Sequence, residues 1–561
     1  MASNTKEKLD SQSIANSTSS TILPEAARPP QSDAAPPQNS QDGTLQPSLA
    51  DDVYIVDWDG PDDPSNPKNW SRKKKWAVTL VVSSYAFLSP LSSSMMAPTS
   101  DQIGKEFGIT NNLVLALCTS VYVLAYAIGP LMLAPVCEIY GRLPLIQIAN
   151  LLYFAWNLAC GFAQNTGQLI AFRFLSGIGG SAAPSIAGGV LGDVWKPEER
   201  GQAISIYSLA PLVGPVIGPI CGAWIAQESN WRWVFWSTSI VCVVVQVIGF
   251  IYLRETFPPI LLERKAKRIR RNMTDAEKGK VQEVRTVYDG ADREWKNIMR
   301  KALLRPLALT TYEPILQVLS AYFAFVYGTL YLFLTTLPSI YQGVYRESVG
   351  IAGLHYLALG IGLSGMSQVN AHYMDIIYKR LCARFGGEGK PEYRLPAIIP
   401  GAILLPIGLF LTGWTARASI HWIVPDIGIL IIGGGMILIF QGIQTYVIDA
   451  FTLHAASARI LNMIASIALA VIAFFRSIAG FTFPLFAPAM YNALGYGKGD
   501  TILACVAIGV GIPAYAFPTF VAWLVRVADV GVVAPYFFNR PFLLWMYGER
   551  LRKASRYAKR T

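Results

Sequence analysis

The sequence predicts an all-α integral membrane protein in which twelve membrane-spanning helices form two six-helix bundles. Three observations lead there. The 561 residues are 52% hydrophobic and 15% charged, with mean hydropathy +0.36, whereas soluble domains carry about 25% charge. Apolar runs of about 20 residues, each long enough to cross a bilayer core, recur along most of the chain. An acid and a base four apart follow the second run as Glu138 and Arg142, and the eighth as Asp375 and Lys379. At that spacing each pair can meet on one helix face. Matching elements at matching places are the mark of a duplicated membrane bundle.

Residues 1–69 are rich in Ser, Pro, Gln and Asp, lack apolar periodicity and read as a disordered tail. No apolar segment lies near Met1, so no cleavable signal is expected, and Arg72–Lys75 hold the N-terminus in the cytoplasm. Residues 70–253 contain six spans, at about Trp76–Ala97, Leu113–Ala134, Leu145–Ala163, Gln168–Leu191, Ala203–Ala226 and Trp231–Leu253. The polar stretch 254–306, with its run ERKAKRIRRN, reads as a cytoplasmic central loop that carries a surface amphipathic helix. The second half, 307–548, continues with spans at about Ile315–Leu337, Gly350–Met374, Ala397–Trp414 and Trp422–Ile448. Beyond these, Arg459–Pro488 exceeds the length of one span, and Thr501–Val525 precedes another semi-apolar run. The tail 549–561 is basic and expected in the cytoplasm, so the number of spans is even.

Several functions are set aside. The net charge of +11 resides in loops between apolar runs, which fits a multi-span protein rather than a nucleic-acid binder. The seven cysteines are scattered without metal-ligand spacing and read as reduced packing residues. The four histidines are dispersed, and neither a nucleophile motif nor a phosphate-cradling loop appears, so no enzyme, cofactor or metal is expected.

The stretch SLAPLVGPVIGPICGAW (208–224) is apolar yet holds three prolines and three glycines. Read every fourth residue, Ala210, Gly214, Gly218 and Gly222 form one small stripe, and Pro211, Pro215 and Pro219 a second. Small residues at this spacing let helix backbones approach closely in lipid. Each proline removes a backbone hydrogen bond, at about 3 kcal/mol in an ordinary helix interior. The segment is therefore either a close-packed kinked helix or one shaped to seal a path, with its glycines on the facing half. Arg173 lies inside the fourth span, where a charge is a functional-site hypothesis by default, against a structural arginine bonded to carbonyls. Aromatic and amide side chains on the seventh and tenth spans are candidates for a substrate path: Gln317, Tyr322, Tyr327, Phe440, Gln441 and Gln444.

These residues carry a resemblance. NPKNWSRKKKW, LAPVCEIYGRLP, IAFRFLSGIGGS, GDVWKPEERG, LAPLVGPVIGPICGAW, RETFPPILLERKAKRIR, ESVGIAGLHY and GFTFPLFAPAMYNALGYGKGD make the chain similar to fungal twelve-span drug:proton antiporters of the major facilitator superfamily. The resemblance implies a monomeric efflux pump in the plasma membrane, exchanging a drug, toxin or secondary metabolite for protons. The alternative is proton-coupled uptake of a nutrient or polyamine. It implies a gating motif at Gly214, Pro215, Gly218, Pro219 and Gly222, and proton coupling at Arg173. It also implies a cytoplasmic latch between the halves from Glu138, Gly141, Arg142, Asp193 and Arg200. Two segments depart from the family pattern, near 459–471 and 515–540, and read as insertions or translated introns.

Overall fold

A computed structural model describes residues 53–196, 199–273, 283–288, 304, 310–311, 314–384, 389, 391–452 and 458–529. Span 1 is Arg72–Ser94, and after a break the short helix Ser100–Phe107 turns the chain. Span 2 is Asn112–Tyr140, span 3 Arg142–Gly161, and span 4 Thr166–Gly180 continued by Ala182–Val194. Span 5 is Arg200–Glu228 and span 6 Arg232–Tyr252. In the second half, span 7 is Pro314–Pro338, extended by a π-helical turn at Ser339–Val344. Span 8 combines Val349–Leu354 and Tyr356–Arg384, span 9 is Ile399–Thr415, and span 10 is Ile423–Thr452.

The last helix, Ala458–Asp529, breaks at Gly495, whose φ of 73° and ψ of 169° suit a residue without Cβ. Tyr491 Oη donates to Asp500 Oδ1 across this break. Nine residues of straight helix would separate the two by about 13 Å, so the chain doubles back into spans 11 and 12. Among the described residues eleven helical stretches are long and apolar enough to cross a membrane, and this hairpin makes twelve crossings. Most expected span positions hold to within a few residues, but span 2 runs on to Tyr140 rather than Ala134, and span 8 to Arg384, ten residues past the expected Met374. Residues 458–471 continue into span 11, and Ala468 and Val471 are buried in the second-half core. Of the other departing segment, 515–529 is helical and 530–540 lies outside the described residues, as do 549–561.

The spans look inverted by soluble standards. On span 6 Ile240, Val244, Val247 and Ile251 are each more than half exposed, while Thr238, Ser239 and Gln246 are buried. An apolar outside around a polar seam is what lipid demands of a bundle. The large second-half core joins spans 7 to 12, and smaller clusters serve the first half.

The tail reading needs a correction. Residues 1–52 lie outside the described residues, but Val53–Val56 (β1) pairs in parallel with Glu283–Thr286 (β2) of the central stretch. The helix Pro258–Asn272 packs Ala266 and Ile269 onto this pair, beside Val56 and Val284, so the expected amphipathic helix forms. The loop before span 1 is fixed by its own polar side chains. Asp63 accepts from the amides of Asp59 and Ser65, and Asn69 donates to the carbonyls of Pro61 and Asp63. Burial pushes the Asp63 carboxyl up, but those amides and Lys265 bring it below the usual range. The face carrying these elements is called proximal here, and the opposite face distal.

Candidate functional site

Span 1 contains Pro90 and ends four residues later in the run Ser92–Ser93–Ser94. The last carbonyls of a helix lack intrahelical donors and carry its negative dipole end. Arg173, fully buried, fills that need: its Nη1 donates to Ser92 O (3.0 Å) and its Nη2 to Ser93 O and Thr119 O (both 3.2 Å). Tyr122 and Phe235 present ring faces to the guanidinium at 4.8 and 5.7 Å. Among the described residues its hydrogen bonds all go to backbone carbonyls, and no carboxylate pairs with it. The geometry at Arg173 is that of a cap on span 1.

The glycine stripe of span 5 meets the same break from another side. A Cβ on Gly218 would stand 2.6 Å from Leu91 O, one on Gly214 would stand 3.1 Å from Leu91 N, and one on Gly222 would overlap Met95 O. These are backbone atoms, so no side chain can move to make room. Pro215 and Pro219 are buried on span 5, which stays helical through all three of its prolines. The expectation that the glycines face the other half is therefore corrected: they pack on span 1 of their own half. The opposite face of span 5 reaches the second half instead, where span 8 supplies the small residues. Gly353 sits against Ala223, Gly360 against Val216, and the Gly350 amide donates to Gln227 Oε1 at 2.8 Å.

At the proximal face the predicted pairing is also redrawn. Gly141, at φ 97°, ends span 2, so Glu138 and Arg142 do not share a helix. Arg142 pairs with Asp193 at the end of span 4, and its guanidinium lies over Gly189. Glu255, after span 6, accepts from the backbone amides of Arg142, Leu143, Thr256 and Phe257. It thereby caps the N-terminus of span 3, and any Cβ on Gly141 would strike it. Glu138 is exposed, and Arg200 leans on Gly192. The partners described for Arg142 all come from the first half and its exit, so the cluster joins spans 3, 4 and 6 rather than the two halves. The second half repeats the arrangement with Arg394, which bonds Asp375 (2.9 Å) and Asp449 (3.0 Å) at the ends of spans 8 and 10. Its base is Arg394, not the Lys379 suggested by spacing.

Between the halves lies a tyrosine-rich zone. Ser93 of span 1 and Tyr331 of span 7 hydrogen-bond at 2.9 Å. Tyr327 stands 5.1 Å from Tyr331 and 5.9 Å from Phe440, and Phe323 stacks on Phe440 at 4.6 Å. Arg476 of span 11 faces the rings of Tyr327 (5.0 Å) and Phe323 (6.0 Å). Of the six predicted path residues, Tyr327 and Phe440 converge here. Tyr322 points to Gly511 on span 12, Gln317 is exposed and donates to Thr310 O, and Gln444 is exposed. Gln441 ties span 10 to Ser367 and Asn370 of span 8.

Comparison with known proteins accords with this architecture. The model of the Major Facilitator Superfamily matches residues 82–473. The chain belongs to the major facilitator superfamily. It is 42% identical over 516 residues to the efflux pump vrtL of Penicillium aethiopicum, covering 91% of this chain and 94% of that protein. It is 39% identical over 507 residues to the efflux pump radE of Floropilus chiversii, covering 90% and 86%. Its fold is similar to that of the xylose transporter XylE from E. coli, with TM-score 0.57 and 16% identity over 79% of this chain and 97% of that one. This member of the superfamily is thus a multi-pass membrane transporter, not an enzyme.

The transporter holds a second polar cluster, at its distal face, whose members the sequence does not bring together. His355 of span 8 sits between two carboxylates, with Nδ1 2.7 Å from Asp426 Oδ2 and Nε2 2.8 Å from Glu347 Oε2. Tyr341 stacks on the imidazole at 3.5 Å and also donates to Asp426. Both ring nitrogens lie at hydrogen-bond distance from carboxylate oxygens, an arrangement to which both can donate only in the imidazolium form. Its members come from spans 7, 8 and 10 and from the connection between 7 and 8, and no sequence spacing joins them. Arg476 had a signal: it stands inside the apolar run AVIAFFRSIAGF, where the rule that singled out Arg173 applies equally.

Proposed function

We propose that this transporter exports small organic compounds across the plasma membrane by alternating access, as a monomer and in exchange for protons. The carrying observation is the seam between spans 5 and 8, where Ala223, Val216 and Gln227 fit against Gly353, Gly360 and Gly350. On this reading the seam closes the distal face, and a carrier must open such a seam once per cycle. The efflux-pump names borne by relatives at 42% and 39% identity support the outward direction. The lysines and arginines of 72–75 and 264–271 lie on the proximal face, which supports a cytoplasmic assignment for that face and for both termini.

On this reading Arg173 serves coupling by fixing the break in span 1. The Arg142 and Arg394 clusters are the two halves of a cytoplasmic latch, disengaged from each other while the distal seam is closed. The proton enters at His355, in reach of Glu347, Asp426, Tyr341 and Tyr345. The test is efflux from cells that overproduce the chain and are loaded with a panel of fluorescent organic compounds. At least one should leave faster than from control cells, and a protonophore should abolish the difference. Faster entry would reverse the direction, and efflux indifferent to the protonophore would remove proton exchange. His355→Gln should flatten the dependence of efflux on external pH; a retained profile would take the proton site elsewhere.

A further inference from the structure

The arginines of this protein differ in what satisfies them. Arg142 and Arg394 have carboxylates, and Arg173 has three carbonyls. Arg476 has neither. It is half-buried on span 11, its Nε is buried without a hydrogen-bond partner, and among the described residues no hydrogen bond or ion pair reaches it, while the ring faces of Tyr327 and Phe323 lie 5.0 and 6.0 Å from the guanidinium. A guanidinium in such surroundings keeps its five donors and its charge largely unspent, at several kcal/mol in apolar medium.

The residue sits where the halves meet. Gly480, one turn along span 11, packs against Tyr327 of span 7 and Val123 of span 2, and Tyr331, 5.1 Å from Tyr327, bonds Ser93 of span 1. A cation among phenol donors and flat apolar walls is matched by one chemistry: an anionic oxygen pair on an aromatic body. The guanidinium fork takes a carboxylate in two parallel bonds, and the rings of Tyr327, Phe323 and Phe440 take the planar body.

We propose that Arg476 and the surrounding aromatic residues form the cargo site for an aromatic organic anion, a carboxylate or an acidic phenolate. This rests on the export reading and narrows it. The same uncompensated charge disfavours polyamines and other organic cations, which it repels at close range. A polyamine cargo is therefore set aside in favour of acidic metabolites or acidic drugs.

The test is binding to the purified full chain in detergent, using three probes that share a naphthalene body: 1-naphthoate, neutral 1-naphthalenemethanol and protonated 1-naphthylmethylamine. Wild-type protein should bind naphthoate about tenfold more tightly than either other probe. Arg476→Gln should lose about that factor for naphthoate and keep its affinity for naphthalenemethanol, which also reports a folded site. Arg476→Lys keeps the charge without the fork and should bind naphthoate about three- to tenfold more weakly than wild type. Equal wild-type affinity for the three probes, a preference for the amine, or undiminished naphthoate binding by either folded variant overturns the proposal. Binding in detergent has no direction and needs no gradient. A failure here leaves the export reading standing, and reversed flux in cells leaves the anion site standing.

Discussion

Span 5 makes two seams that look alike and behave differently. Toward span 1 it offers its own glycines to backbone atoms at Leu91 and Met95. Toward span 8 it offers side chains, Val216, Ala223 and Gln227, and the glycines belong to the partner. Backbone against backbone leaves nothing to rearrange, and Arg173 adds three hydrogen bonds to the same break in span 1. Side chains against glycine can separate and return, with one hydrogen bond to break in the pairings described. The first seam fixes span 5 within its half. The second is the one an alternating carrier must open.

The largest effect is expected on the fixed seam. Gly222→Leu and Gly218→Leu place a side chain on a carbonyl that cannot retreat, beyond the about 1–3 kcal/mol of ordinary overpacking. Both variants should yield little monodisperse protein by size-exclusion chromatography, and normal yield would break the distinction. Arg173→Ala comes next. It removes three charge-assisted hydrogen bonds worth about 1.5–3 kcal/mol each, so the melting temperature should fall and transport should vanish together. Lost transport at unchanged melting temperature would point to direct proton coupling instead. On the moving seam, Gly353→Ala and Gly360→Ala should leave folding intact while opposing closure by about 1–3 kcal/mol. A cysteine placed in the seam should then label faster from the distal side. Gln227→Ala is the smallest: one hydrogen bond, about 0.5–1.5 kcal/mol, and at most about a tenfold change in that labelling rate.

Much of the fold was legible because lipid allows few solutions: apolar runs of sufficient length read directly as spans. Gly495 was harder to read, since a hairpin of helices and one long helix share the same apolar composition. Site residues were legible as types more than as partners. The four-residue spacing of Glu138 and Arg142 promised a pair on one helix, but Gly141 interrupts that helix and gives Arg142 to Asp193. In the second half the matching base is Arg394, nineteen residues from Asp375, because the connection between spans 8 and 9 is longer. Position in the fold was retained there while sequence spacing was not. The small stripe of span 5 announced close packing correctly. Nothing in its period could say against which helix.

The most direct measurement joins the two sides of the moving seam. Gln227→Cys and Gly350→Cys, in a background where exposed Cys221 is alanine, place two thiols across the same seam, where the Gly350 amide meets the Gln227 side chain in the native chain. Oxidation should cross-link them readily, stop transport, and be reversed by reductant with transport restored. Full transport by the cross-linked protein would contradict the claim that this seam opens in every cycle.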